Sequence, residues 1–524
     1  MSVPVETRVP SQEAPERAIS EIPALLRHDP YNLTGWIALF KASIYVGDIS
    51  EALCLARALM PKVSNPADLF LHVGRLLQGH GLHEAAVDIY ERILACQPDA
   101  RQVCSELLIH KQIFENDDDD LDRAYRSWNG RFVVPLLKGC KPAVTSPDID
   151  RPLRIGFVSN DFGGNHSLNA VMAPWFLFRE RRSNFYSFYS NGPRNVTVHK
   201  LFAEAGDVFT DVSTLSDEEL ASKIRSDRID ILVDMIGHAA RNRLLVYARK
   251  PTPIIVSWVA VGMPTGIEAV DYFLADEYRV PRESVTRYCE KIAYLPHTAM
   301  VWCPPKSAPA IEPEGSLRRN RIVFGNLARI VKFREETIEL WARVLHRVPD
   351  SMFMFKDSHL VGGNVSRILT MFQNHGIGPE RFIFRTQTNQ AEHLATYNEV
   401  DIVLDSYPEP GGISSLEALW MGVPIVPYCH SKRPSGRVGR NFLENLGLPA
   451  MVADTQDMYV DLAETLAQNR ERLVLFRRAL RQRMARSPLC DVAMFQRNVT
   501  LAFSHMWKRH CGNLPPETFT VGLS

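Results

Sequence analysis

The sequence has no CxxC pair, no apolar run long enough to cross a bilayer, and no excess of either charge. Its 60 Lys and Arg balance 60 Asp and Glu, giving a formal net charge of 0. A general nucleic-acid binder needs a basic excess to neutralise phosphates, so the balance predicts no nucleic-acid partner. One local cationic site for a small anion is still compatible with it. The nine cysteines (Cys54, Cys96, Cys104, Cys140, Cys289, Cys303, Cys429, Cys490 and Cys511) are scattered and odd in number. That distribution argues against structural zinc and against a disulfide framework. Buried, reduced thiols in a cytoplasmic protein are the expectation. The opening MSVPVETRVPSQEAPERA lacks the apolar core of a signal peptide, and no membrane span is expected.

Several catalytic motifs are also missing. There is no GxxxxGK followed by Ser or Thr, so a P-loop nucleotidase is unsupported. The first strand is not followed by GxGxxG, which leaves a nicotinamide dinucleotide site unsupported. Neither GxSxG nor HExxH occurs. The expectation is therefore no protein-bound metal and no cofactor.

The 524 residues exceed what one core sustains, roughly 250–300, and predict about three domains. Residues 1–14, rich in Pro, Ser and charge, read as a disordered tail. Over 15–128 the pattern is helical and repeats every 34 residues. Gly47 and Gly81 are 34 apart, as are Ala52 and Ala86, Trp36 and Phe70, and Leu39 and Val73. This is the tetratricopeptide period, and such helical repeats stack into a solenoid whose concave face binds peptide or another subunit. The acidic run Glu115 to Asp120 reads as a solvated linker. Residues 129–150 read as the boundary to the next domain.

From Leu153 the grammar changes to short apolar runs alternating with helical stretches: 153–159, 229–235, 253–259, 291–296, 321–327, 352–356, 381–384, 401–405 and 424–428. Near-continuous apolar strands separated by helices imply parallel sheets covered on both faces. The proline-rich segment 303–317 separates two lobes, 151–302 and 318–513, with a tail over 514–524. Each lobe has the size of one Rossmann-like unit, and ligands are expected at the carboxyl ends of the strands.

Four loops carry the candidate chemistry. After the first strand comes Ser159-Asn160-Asp161-Phe162-Gly163-Gly164-Asn165-His166. His166 is the one side chain there that moves a proton near neutral pH. After the 229–235 strand come His238 and Arg241, where an Asp234–Arg241 brace is the plain structural reading. Arg329 and Lys332 follow the 321–327 strand and place cations where a pyrophosphate can be met. The segment LDSYPEPGGISSLEALWMGVPIV (404–426) is the strongest local feature. Gly411 and Gly412 let backbone amides approach a phosphate, and Ile413 opens a helix whose N-terminus favours an anion. Ser414 and Ser415 cap the helix or bond phosphate. Glu417, one turn in, suits a ribose diol because a carboxylate accepts two hydroxyl protons.

In this order, the repeats, VSNDFGGNH, GHAARNR, EKIAYLPHT, LEALWMGVP, SPLCD and HMW resemble the O-linked N-acetylglucosamine transferase family, with its bacterial and plant SPINDLY-like members. The resemblance implies an α/β fold of the GT-B type, with two Rossmann-like lobes preceded by short helical repeats. It implies an inverting, metal-independent glycosyltransferase that moves a sugar from a nucleotide sugar, UDP-N-acetylglucosamine first, to a Ser or Thr hydroxyl of a protein recruited in part by the repeats. By position, His166 falls on the loop histidine near the acceptor, and Lys332 on the lysine that neutralises the diphosphate. Arg329 stands where a glutamine touches the donor, His393 on the histidine near the nucleotide, and Glu417 on the ribose carboxylate. Gly411, Gly412, Ile413, Ser414 and Ser415 fall on the phosphate turn and helix start. His238, Arg241, His297 and Thr298 are candidate acceptor or sugar contacts. The base is His166 or a donor phosphate oxygen.

The chain also departs from the family. Trp258 is followed by VAVGMP rather than LGYPGT, PGGISSLEAL replaces NGGTTTLDAL, and Arg440 replaces a small residue. Three alternatives therefore stand: another donor such as GDP-fucose, a glycan or small-molecule acceptor, and a catalytically weak repeat-binding module. A two-lobe sugar-nucleotide epimerase is a further one.

Overall fold

Trp36 and Phe70, one 34-residue period apart, meet edge to face with ring centroids 5.0 Å apart. Their contact is the repeat made visible in a computed structural model of the chain. The structure describes residues 13–114, 118–139, 148–163, 175–178, 184–192, 196–258, 263–314, 321–429 and 433–522. The chain divides into two compact units, residues 1–107 with 326–388 and residues 108–325 with 389–524.

In the first unit, the helices Leu33–Val46, Ser50–Leu59, Pro66–Gly79 and His83–Cys96 form two successive hairpins. Asn32 caps the first of them, its side-chain oxygen accepting from the Gly35 amide at 2.8 Å. Ala52 and Ala86 are both buried, as are Leu39 and Val73, so equivalent positions fill equivalent places in the core. Gly74 lies under the Tyr90 ring, where a Cβ would come within 2.2 Å of the ring carbons. Gly47 and Gly81 take positive φ, 95° and 73°, and turn the chain between the helices of each hairpin. The same unit holds helix Glu335–Arg347, whose buried face carries Trp341, Val344 and Leu345, together with helix Gly363–Asn374.

Strands are numbered in chain order: β1 Arg154–Ser159, β2 Phe185–Ser190, β3 Val208–Asp211, β4 Ile231–Asp234, β5 Ile254–Ser257, β6 Tyr272–Ala275 and β7 Lys291–Tyr294. They continue with β8 Val323–Asn326, β9 Met352–Lys356, β10 Phe382–Arg385, β11 Ile402–Leu404, β12 Ile425–Val426 and β13 Phe519–Thr520. In the second unit, β3-β2-β1-β4-β5-β6-β7-β13 form one eight-stranded sheet, parallel throughout. Starting from β1 the order runs outward to β3 on one side and to β7 on the other. The switch point between β1 and β4 is where a doubly wound sheet binds ligands. The remaining five strands belong to the second lobe. β9 pairs with β10 in the first unit, and β8, β11 and β12 pair in the second, all parallel.

Four expectations need correction. Asp119 and Asp120 of the acidic run lie within helix Asp118–Trp128 rather than in a solvated linker, and Glu115 to Asp117 lie outside the described residues. Residues 129–137 extend that helical run before the boundary segment begins. Residues 514–522 are not a tail: β13 adds to the edge of the eight-stranded sheet beside β7. The last long helix, Val492–Cys511, falls within the 318–513 span read as the second lobe. Its Phe495, Val499, Phe503, Met506 and Trp507 instead fill the apolar core of the first sheet, where Phe495 packs 5.7 Å from Trp258. Of the eight cysteines described, Cys429 alone is buried. The disordered tail expected over 1–14 lies outside the described residues up to residue 12.

Candidate functional site

At the switch point the loops after β1 and β4 are tied together. Asn160 Nδ2 donates to the Ala240 carbonyl at 2.8 Å, and Asn191 Nδ2, just past β2, donates to the Arg241 carbonyl at 2.7 Å. Gly192 packs so closely on Asn160 that any Cβ would strike its carbonyl. The two loops singled out by sequence are thus neighbours, held by asparagines that sequence reasoning passed over. His166 lies outside the described residues, as do Val259 to Gly262.

The expected Asp234–Arg241 brace does not form. Asp234 accepts from the amides of Ile236 and Gly237 at 3.2 and 3.0 Å and from the Tyr247 hydroxyl at 3.1 Å. Burial pushes its carboxyl up to about 6, against the pull of those donors. Arg241 is exposed and holds φ at 61°. His238 is buried, its Nε2–H donating to the Thr265 carbonyl at 2.7 Å, edge-on to Trp128 at 4.7 Å. That histidine braces the loop from beneath.

His297 and Thr298 follow β7. His297 is exposed at φ 66°, in the left-handed region that side chains other than glycine seldom enter. Such outliers cluster at working sites, where the surroundings over-determine them. Helix Val438–Asn445 holds this one: Asn445 Nδ2 donates to the His297 carbonyl at 3.1 Å, and the Thr298 hydroxyl lies 3.4 Å from Asn441 Oδ1. Asp276 Oδ2 fixes the next residue through the Ala299 amide at 3.0 Å.

The turn after β11 is built on Asp405, which is 1% exposed. Its Oδ1 accepts the Gly411 amide at 2.5 Å, and its Oδ2 lies 3.3 Å from the Ser415 hydroxyl. A Cβ on Gly411 would sit 2.1 Å from Ser415 Oγ and 2.9 Å from Asp405 Oδ1, so a side chain there would have to displace this network. Ser415 is therefore occupied with bracing the turn rather than capping the helix. Gly412, by contrast, faces open space. Helix Ile413–Trp420 begins at this point, and the amides of a helix's first turn lack intrahelical acceptors and favour an anion. The Ser414 carbonyl accepts from Tyr397 Oη at 2.8 Å. Glu417 Oε2 stands 3.2 Å from His393 Nε2, both half-buried. The structure so brings together Gly411, Gly412, Ser414, Ser415, Glu417 and His393. Tyr397 was missed, although its i,i+4 spacing from His393 marks one face of a helical stretch.

In the first unit, Arg329 precedes and Lys332 ends a single 3₁₀ turn, Ile330–Lys332, in the segment that follows β8. Arg329 is exposed and Lys332 half-buried. Asp357 Oδ2 accepts the Ile330 amide at 2.8 Å and fixes the start of the turn. Among the described residues no group of three or more His, Cys, Asp or Glu side chains is placed to hold a metal ion. No described helix is long and apolar enough to cross a membrane.

Comparison with known proteins places this geometry in context. The model of glycosyl transferase family 41 matches residues 142–303 and 313–499. A Petunia hybrida protein, the probable UDP-N-acetylglucosamine–peptide N-acetylglucosaminyltransferase SPINDLY, is 30% identical over 431 residues, 80% of this chain and 46% of that protein. The probable UDP-N-acetylglucosamine–peptide N-acetylglucosaminyltransferase SEC of Arabidopsis thaliana is 27% identical over 379 residues, 70% of this chain and 38% of the relative. The chain spans about half the length of the curated relatives it matches. A solved structure of a mutant O-GlcNAc transferase from Thermobaculum terrenum superposes with a TM-score of 0.83 at 28% identity, covering 96% of this chain and 97% of that one. Helical repeats followed by two parallel α/β lobes are thus shared with that structure, and the fold is of the GT-B type.

Proposed function

The chain belongs to glycosyl transferase family 41, and from that premise we propose that it transfers N-acetylglucosamine from UDP-N-acetylglucosamine to Ser or Thr hydroxyls of a protein, with inversion and without a metal. The observation that carries the reading is the Asp405 turn, with its close-packed Gly411, its open Gly412, its helix start and the His393–Glu417 pair.

Each residue has a task that its chemistry suits. The leaving nucleoside diphosphate gains negative charge as the glycosidic bond breaks, and preorganised donors aimed at that charge lower the barrier. Lys332 is the proposed counter-charge, with Arg329 as a second donor contact. The first-turn amides at Ile413 and Ser414 are the proposed backbone donors. Glu417 accepts the ribose hydroxyls, and His393 fixes the Glu417 carboxylate. The acceptor proton goes to His166 or to a donor phosphate oxygen. His297, Thr298, His238 and Arg241 belong to the proposed acceptor side, His238 through the loop it braces. The repeats supply part of the protein-recruiting surface.

A thermal-shift panel of UDP, UDP-N-acetylglucosamine, GDP and GDP-fucose tests this. A ligand that binds only the folded state at about 100 times its Kd stabilises by roughly 2.7 kcal/mol. UDP and UDP-N-acetylglucosamine should raise the midpoint. A response to the guanine nucleotides alone would move the donor to GDP-fucose. No response to any of the four would overturn the reading.

A further inference from the structure

The 34-residue period explains why Gly47 and Gly81 exist as turns, but not what those turns touch. Both rest on the part of the second lobe that shares their unit. A Cβ on Gly363 would come within 2.4 Å of Gly47 Cα and of the Ile44 carbonyl oxygen. A Cβ on Gly81 would lie 2.9 Å from the Ile330 carbonyl oxygen. Backbone meets backbone at both turns, and the second turn meets the segment that carries Arg329 and Lys332.

Around Gly81 the contact becomes specific. His83 is buried, and its Nε2 lies 2.6 Å from the Val331 carbonyl oxygen. A carbonyl only accepts, so Nε2 carries the proton and donates. Val331 is the middle residue of the Ile330–Lys332 turn. His80, three residues before helix His83–Cys96 begins, holds the opposite flank. Its carbonyl accepts from Arg367 Nη2 at 2.8 Å, and its Nδ1 accepts from Asn364 Nδ2 at 2.7 Å. Its ring stands edge-on to His359 at 4.5 Å. His359 in turn bonds Asp357, whose other oxygen holds the Ile330 amide. The cationic turn is thus gripped at Ile330 by the lobe and at Val331 by a repeat.

We propose that His83 is a positioning residue for Lys332: the repeat hairpin fixes the Val331 peptide plane and thereby the direction in which the Lys332 side chain leaves the backbone. This rests on the proposed role of Lys332 at the donor diphosphate. It gives the repeats a second task beside recruiting an acceptor, namely holding the donor-side cation in place whether or not an acceptor is bound. A displaced cation costs most where charge develops, so the loss falls on kcat more than on donor KM.

The test compares wild type, His83→Leu and His83→Gln in the full chain. It measures nucleoside diphosphate release from UDP-N-acetylglucosamine by water alone and with a protein acceptor, alongside melting temperature. Positioning predicts that His83→Leu lowers kcat at least tenfold in both assays, with donor KM changing less than about threefold. His83→Gln, whose amide reaches the same carbonyl, should recover to within about threefold of wild type. If His83→Leu does not fold, His83→Asn carries the same test, because its shorter amide cannot reach Val331. Water-driven release unchanged in His83→Leu, or His83→Gln no better than His83→Leu, would overturn the positioning role while leaving the transferase reading intact. A wild-type chain that releases nucleoside diphosphate from no donor would overturn both.

Discussion

His393 and Glu417, 24 residues apart, stand 3.2 Å from each other and join helix Gln390–Thr396 to helix Ile413–Trp420. A half-buried carboxylate held by an imidazole is oriented before any ligand arrives, which is the condition for recognising a diol at low entropic cost.

Removing that carboxylate should weaken nucleotide binding. Hydrogen bonds to a charged group contribute about 1.5–3 kcal/mol, or roughly ten- to a hundredfold in Kd. Glu417→Ala is expected to lose UDP affinity within that range by calorimetry, and His393→Ala to lose less. Unchanged affinity in Glu417→Ala would remove the residue from the nucleotide site.

Asp405 should matter to stability before it matters to catalysis. Asp405→Ala leaves the buried Gly411 amide without its acceptor, at a cost of about 1–3 kcal/mol. Gly411→Ala forces a Cβ against Ser415 Oγ and should also disorder the turn. Urea midpoints read both, and full stability in both variants would show that the turn does not depend on this network.

The C-terminal segment should behave as part of the first lobe. Phe495→Ala opens a cavity in the core beneath Trp258, at about 3–5 kcal/mol. Deleting residues 514–524 strips β13 from β7 and exposes Phe519's place in the core, so the melting temperature should fall. A deletion as stable as the full chain would return this segment to the status of a tail.

Stability should depend on pH through His80. Burial, reinforced by the nearby His359 and opposed by Asp357, lowers its imidazole from 6.5 to about 4. The folded chain therefore binds fewer protons at His80 than the unfolded chain does. Its contribution is present above pH 6.5 and is lost as pH falls toward 4. Protonation would also fill the Nδ1 lone pair that accepts from Asn364. Urea midpoints at pH 7 and pH 4.5 should differ more for wild type than for His80→Gln. Parallel losses in the two proteins would contradict this.

All nine apolar runs read from the sequence as strands contain strands, because a strand buried on both faces shows itself as an unbroken apolar run. β2 was hidden by its composition. The sequence FYSFYS buries Ser187 and Ser190 and so breaks the run. β3 lies at the sheet edge, and β13 has only two residues, too few for any period. The repeats were legible because equivalent residues do equivalent work in successive hairpins. The partner of helix Val492–Cys511 was not legible, since a helix's own periodicity shows which face is apolar and not what covers it. At the candidate site, Glu417 could be named from its place one turn into a helix, and His393 through the family resemblance. Their pairing could not, nor could the engagement of Ser415 by Asp405, because both depend on how separate elements meet in space. The docking of Gly81 and His83 on the Lys332 turn was hidden for another reason: a turn already accounts for the glycine.

The central claim is a Lys332-dependent transfer from a nucleotide sugar, and product analysis tests it most directly. Wild type and Lys332→Ala are each incubated with UDP-N-acetylglucosamine and a protein acceptor, with UDP release and acceptor mass measured together. The account predicts stoichiometric UDP and sugar-modified Ser or Thr from wild type, and a loss of at least a hundredfold in Lys332→Ala at unchanged fold stability, in keeping with the removal of a major transition-state charge partner. Equal UDP release by the two proteins, or UDP release by wild type with no sugar on any acceptor hydroxyl, would contradict it.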